Sequence, residues 1–187
     1  DGLIKGVILT FSDNTEKYQI QEQIRINEER LIEAQRIAQM GSYEIILETG
    51  LIIGSPNAFR IYGLPQTENY LIDSKVVDKL VVDVEIVNKS IRDLVTNGIP
   101  IEHEFEIIPA DGSPMRVIRS RGHLVKDENG NPYKIIGVVQ DVTERKKIEK
   151  EIRKLSTALE QSPVSIVITD IQGKIEYINP NVTESTG

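Results

Sequence analysis

An internal repeat constrains this chain more than any other feature. Leu31 to Gly63 reads LIEAQRIAQMGSYEIILETGLIIGSPNAFRIYG, and Leu155 to Gly187 reads LSTALEQSPVSIVITDIQGKIEYINPNVTESTG. The two segments align without gaps when Leu31 is laid on Leu155, with Pro56/Pro180, Asn57/Asn181 and Gly63/Gly187 identical and the apolar positions largely shared. Gly2 to Glu16 aligns with Gly130 to Glu144 in the same way, matching Gly2/Gly130, Asp13/Asp141, Thr15/Thr143 and Glu16/Glu144. Self-similarity at so long a period marks repeated structural units. The expected organisation is the last strand of one unit (1–14), a helical connector (15–39), one complete unit (40–143), a second connector (144–160) and the opening of a further unit (161–187).

The connectors carry a narrow apolar stripe. Ile20, Ile24, Asn27, Leu31, Ala34 and Ala38 alternate spacings of four and three in the first, as do Ile148, Ile152, Leu155 and Leu159 in the second. This is the seam of a coiled coil, so a homodimer through the linker helices is expected, with Asn27 favouring one register and two strands. The repeat offsets make the first connector four residues longer, a rotation of about 400°, or roughly 40° beyond whole turns, which nearly preserves phase.

The complete unit reads as strands, then helices, then strands. Ser42–Leu47 and Leu51–Ile53 are short apolar runs around Glu48-Thr49-Gly50, a hairpin signal. Pro56 to Tyr62 is a short helix capped by Ser55 and stopped by Gly63. Val84 to Thr96 has Val84, Val87, Ile91, Leu94 and Val95 on one face, with Asp83 as its expected cap and Asn97-Gly98 as its stop. Pro100–Ile108, Met115–Lys126 and Pro132–Gln140 are three further strands with turns at Asp111-Gly112 and Asp127–Asn131. The expected fold class is α+β: a five-stranded antiparallel sheet with helices inserted between its second and third strands, flanked by the linker helices.

Composition narrows the chemistry. A net charge of −7 gives no basic field for nucleic acid, and the absence of cysteine removes disulfides, thiolate metal sites and thiol chemistry. No apolar run is long enough to cross a bilayer and no leader is visible, so no direct membrane insertion is expected of this segment, while a membrane anchor elsewhere in a longer parent stays open. His103 lies in Ile101-Glu102-His103-Glu104-Phe105-Glu106, but on a strand the glutamates point one way and the histidine the other, so no metal site forms. A hairpin centred on Asp111-Gly112 instead sets Glu104 opposite Arg119 and Glu102 opposite Arg121, as ion pairs, with Phe105 meeting Ile118 on the other face. No nucleophile triad, phosphate loop or other catalytic set is visible, so no enzyme activity is expected of these residues.

Several motifs together resemble one family. Ser55-Pro56-Asn57-Ala58-Phe59-Arg60-Ile61-Tyr62-Gly63, Asp111-Gly112-Ser113, Arg119-Ser120-Arg121-Gly122 and Gly137-Val138-Val139-Gln140-Asp141-Val142-Thr143-Glu144-Arg145-Lys146 resemble the PAS sensory domain. The ending resembles the S-box variant, which typically closes G-V-V-Q-D-I-T-E-R-K. Departures occur where the family often carries Trp, here Tyr43, Gly54 and Val117, and where it often carries His-Pro, here Val82-Asp83. The resemblance implies a module of a multi-PAS signalling protein with neighbouring PAS domains and a downstream output domain, a histidine kinase first and a diguanylate cyclase second. Haem-binding relatives use a histidine on or near the long helix, and light-sensing flavin relatives a cysteine, neither of which is present; no tightly held cofactor is expected, though a small ligand stays open.

Asp13-Asn14-Thr15-Glu16 and Asp141-Val142-Thr143-Glu144 stand at the same strand-to-helix joint in successive units. Asp141 and Thr143 can each bond backbone groups freed at a helix start, and Asp141 and Glu144 have capping-box spacing. The recurrence points to a rigid joint that passes sheet distortion into the helix. Phe59, Tyr62, Phe105 and Ile118 are the expected pocket residues. If they fill the core with no buried polar group, the module is a scaffold or dimerisation spacer; a cavity with convergent polar groups marks a sensor.

Overall fold

Alternation along the strands builds the sheet. On β4 (Ile101–Ile107) the residues Ile101, Phe105 and Ile107 are buried, while Glu102 and Glu106 are exposed. On β6 (Pro132–Asp141) Ile135, Gly137 and Val139 turn inward. The computed structural model describes residues 15–67 and 69–182, so the readings at residues 1–14, Asp13 among them, lie outside the described residues.

The chain runs α1 (Thr15–Ile37), β1 (Met40–Ile46), β2 (Leu51–Gly54), α2 (Pro56–Tyr62), β3 (Leu71–Asp73), α3 (Ser74–Asp78), α4 (Val84–Asn97), β4, β5 (Arg116–Lys126), β6, α5 (Thr143–Glu160), β7 (Val167–Thr169) and β8 (Ile175–Ile178). One antiparallel sheet has the order β3-β2-β1-β6-β5-β4, with α2, α3 and α4 between β2 and β4 in the chain. It has six strands where the sequence suggested five. The addition, β3, pairs Leu71 to Ile53 and Asp73 to Leu51 at the sheet edge; three residues show no alternation to read. Tyr70, at φ 47°, precedes it, and its carbonyl accepts from the Gly54 N–H.

Local signals fix the element ends. Ser55 accepts a hydrogen bond from the Ala58 N–H at 3.3 Å, and Gly63 closes α2 at φ 65°. Gly98 closes α4 at φ 69°, but the expected cap Asp83 makes no side-chain capping bond; its backbone, at φ −123° and ψ 86°, is not in the extended form usual for a capping residue. The core packs Phe105, Ile107, Ile118 and Val139 of the sheet against Ala58, Ile61 and Tyr62 of α2, and Leu94 of α4 against Ile101 and Ile135.

The seam residues Ile20, Ile24 and Leu31 of α1, and Ile148, Ile152 and Leu155 of α5, are all exposed. Beyond α5, β7 and β8 form a separate two-stranded sheet. This hairpin is paired, and Asp170 holds its turn through the Gln172 and Lys174 N–H groups. The buried Asn179 side chain accepts from the Ile166 N–H at 2.8 Å and donates to the carbonyls of Leu159, at the end of α5, and Val164.

Candidate functional site

The inner face of the sheet and the inserted helices form a partly open cavity of about 250 Å³. Most of its wall is apolar, with Phe59 and Tyr62 from α2, Phe105 from β4 and Ile91 from α4. Phe59, Tyr62 and Phe105 thus stand where the sequence placed them. Ile118 does not: it is fully buried in the core with Ile61, Ile107 and Phe105, its partner across the strands, and so fills space beside the cavity instead of lining it.

Polar groups converge on this cavity. Tyr43 of β1 reaches across β6 to Ser120 of β5, hydroxyl to hydroxyl, at 3.0 Å. It can do so because Gly137 and Gly122, paired on β6 and β5, carry no side chain; a Cβ on Gly137 would fall 2.4 Å from the tyrosine ring and one on Gly122 2.8 Å from its hydroxyl. His103 is paired with Ser120 in the next strand, and both enter the cavity wall. Both His103 ring nitrogens are shielded from solvent without a hydrogen-bond partner among the described residues. Leaving such a group unpaired costs about 1–3 kcal/mol. Ser74 and Asp78 of α3 and Asn88 of α4 complete the polar lining.

Burial sets the protonation states. It holds His103 below its ordinary value of 6.5, favouring the neutral imidazole, and raises the Asp78 carboxyl, with Asp73 nearby adding to the effect. The Tyr43 hydroxyl is pushed up by burial against the opposing hydrogen bond to Ser120, and Tyr62 is pushed up by burial and the neighbouring Tyr43. No group of three or more His, Cys, Asp or Glu side chains among the described residues is placed to hold a metal ion. The sequence reasoning set His103 aside with its charged neighbours and missed Tyr43 and Ser120 altogether. The signal was present in Gly122 and Gly137, because glycine inside a strand marks close approach of another group.

On the outer face, Glu104 bonds Arg119 at 2.7 Å and Glu102 bonds Arg121 at 2.8 Å, with strand pairs in that register. Glu104 also pairs with Lys146 of α5, a contact the hairpin alone does not reveal. The Lys146 bond foremost, with Arg119 also contributing, holds the Glu104 carboxyl below its ordinary value despite burial. The Glu102–Arg121 pair is solvent-exposed, and exposed pairs contribute only about 0–1 kcal/mol.

Both linker helices meet the sheet at one point. The Asp141 N–H donates to the Gln39 carbonyl at 3.0 Å, and Gln140 donates to the Ala38 carbonyl at 3.1 Å, which fastens the end of α1 to the end of β6. The Asp141 carboxylate accepts from the Thr143 N–H at 3.0 Å and from the Thr143 hydroxyl, at the start of α5. That hydroxyl accepts from the Val117 N–H of β5 at 2.9 Å. Asp141 therefore serves the helix start, while Thr143 ties the helix to a second strand instead of capping its own backbone. Glu144 takes no part in a capping box: it is turned to Lys147 one turn along α5, a favourable pairing on an open helix surface. Thr15 begins α1, and its neighbours Asp13 and Asn14 are outside the described residues.

The unit is thus an antiparallel sheet with a cavity roofed by helices on one face and with helices leading in and out at one sheet end. Residues 80–139 match the PAS fold family. A sensory box histidine kinase/response regulator from Burkholderia thailandensis E264 has a similar structure, at a TM-score of 0.57 and 23% identity, over 71% of this chain and 99% of that one. The N-terminal domain of a diguanylate cyclase with PAS/PAC sensor from Marinobacter aquaeolei is similar at a TM-score of 0.50 and 20% identity, over 57% and 97% of the two chains. In sequence, the chain is 26% identical over 165 residues to the probable diguanylate cyclase DgcE of Escherichia coli (strain K12); that covers 85% of this chain but 15% of the relative's length. The complete unit has the PAS fold.

Proposed function

We propose that this PAS domain is a sensory and signal-transducing module in a tandem-PAS receptor of the S-box type, and that it relays occupancy of its cavity through the Asp141–Thr143 joint into dimeric linker helices. One observation carries the reading: β6 supplies Val139 to the cavity wall and, two residues on, Asp141 to the bonds that hold α1 and α5. Movement of that strand must be felt by both helices. The exposed Ile and Leu stripes on α1 and α5 supply a face for a second copy, and burying such a face is what drives helices together.

In this reading the segment is itself non-catalytic and cytoplasmic, contacts no nucleic acid, holds no permanent cofactor and feeds a downstream output domain. No described helix is long and apolar enough to cross a membrane. The family resemblance favours a histidine kinase as that output domain; the extent of the alignment to a probable diguanylate cyclase supports a cyclase as the second reading.

The absence of cysteine makes the test direct. Spin labels attached through Lys150→Cys on α5 should report a dimer, with an interhelical distance distribution that shifts when Asp141→Ala is added. A monomer in solution, or a dimer whose distances ignore Asp141→Ala, would overturn the relay. A dimer whose native mass spectrum shows no bound small molecule and whose cavity takes none would mark a scaffold and spacer.

A further inference from the structure

We infer that His103 makes the cavity selective for small, uncharged aromatic molecules bearing a hydroxyl group. The inference rests on the cavity being a ligand site. His103 presents an imidazole whose two nitrogens are shielded and unpartnered among the described residues, in a wall otherwise mainly apolar. A neutral imidazole carries one donor and one acceptor nitrogen. A hydroxyl can serve whichever nitrogen faces it, since it donates to a bare nitrogen and accepts from a protonated one. A carbonyl or ether can only accept.

The other walls fix the rest of the ligand. Phe59, Tyr62 and Phe105 favour a flat ring, which gains from offset or edge contacts with aromatic faces. An apolar cavity of about 150 Å³ accommodates benzene, so 250 Å³ suits two fused rings. Asp78 on the helical side opposes a second carboxylate, and the apolar wall would leave most of an anion unsolvated. The Tyr43 and Ser120 hydroxyls share a hydrogen bond, whereas neither His103 nitrogen has one among the described residues, so His103 is the wall group that gains most from a ligand hydroxyl.

The test compares 2-naphthol, naphthalene and 2-naphthoate on the whole chain by titration calorimetry at neutral pH. One added hydrogen bond should make 2-naphthol about tenfold tighter than naphthalene. Naphthoate should be the weakest. His103→Leu should retain naphthalene binding and abolish the preference. If that variant does not fold, the wild-type ring signal decides: the His103 resonances should shift with 2-naphthol and not with naphthalene. The chain has two histidines, and His123, exposed on the opposite face, is the internal reference. Equal affinity for naphthol and naphthalene, or an unmoved His103 signal at saturation, would overturn the selectivity and leave the cavity as a ligand site. Failure of all three compounds to bind would overturn both.

Discussion

The hairpins β1–β2 and β7–β8 are related by the repeat, yet they differ in fate. Tyr43 pairs with Gly54 and Glu44 with Ile53; Val167 pairs with Ile178 and Ile168 with Tyr177, the same register in repeat positions. The anchors are also repeated. Ser55 accepts from the Ser42 N–H at 3.0 Å, and Asn179 accepts from the Ile166 N–H at 2.8 Å; Asn57 donates to the Met40 carbonyl and Asn181 to the Pro163 carbonyl. The register diverges only towards the turn, where the positive-φ glycine is Gly50 in one and Gly173 in the other, a position earlier in the repeat. What differs is burial. β1 is covered by β6 and the helices, whereas Val167, Ile168, Ile171 and Ile175 are exposed. Hairpin register is therefore a local property of this sequence, and a core is not.

The largest effect that would test this is a core truncation. Ile135→Ala, at a residue 0% exposed, should cost about 2–5 kcal/mol in chemical denaturation, whereas Ile171→Ala, 97% exposed, should cost almost nothing. Similar losses at both would mean that the second hairpin is buried in solution. Next comes Gly122→Ala, whose Cβ would displace the Tyr43 hydroxyl. Overpacking of this kind costs about 1–3 kcal/mol, and thermal melting should show it together with loss of cavity binding. An unchanged melting temperature would show that Tyr43 does not lie across the glycines.

Anchor removal is smaller and more local. Ser55→Ala should cost about 1 kcal/mol of the whole domain. Asn179→Ala should instead raise amide exchange in β7, β8 and the last turn of α5 while sparing residues 40–141; uniform acceleration would refute the independence of the hairpins. The smallest effects concern pH. Glu104 has a depressed value when folded, so its contribution is present above the unfolded carboxylate value of about 4.3 and is lost as pH falls through the folded one. Glu104→Gln should flatten that acid limb. His103 is also depressed, so the unfolded chain takes its proton first and stability falls as pH drops below 6.5. His103→Leu should remove that slope, and a slope left intact would mean the ring is solvated.

Much of this was legible where the determinants are near in sequence. The Asp111-Gly112 turn implies the Glu104–Arg119 and Glu102–Arg121 pairings, and Ser55 and Gly63 mark the limits of α2. Tyr43–Ser120 and Glu104–Lys146 join residues far apart in the chain, where neither periodicity nor spacing speaks. Ile118 shows a subtler limit: alternation gives the face of a residue, but whether that face meets a void or a neighbour depends on every element packed there. Glu144 had capping-box spacing, yet Thr143 is occupied with β5 and the glutamate is left to its own helix.

The fastening of α5 has a mechanical consequence. Its first residue is fixed by Asp141 and β5, and near its last turn the Leu159 carbonyl is held by Asn179. In the proposed relay, a helix gripped at both ends would act as a drive shaft in two bearings, with no loose end at which a twist could be lost. Its length then sets gearing. Seven added residues would return the far bearing to nearly the same angle, while two would turn it by about 200°. Insertions in α5 should thus alternate between silent and inverted coupling with helical period, and the four-residue difference between the connectors is of the nearly silent kind.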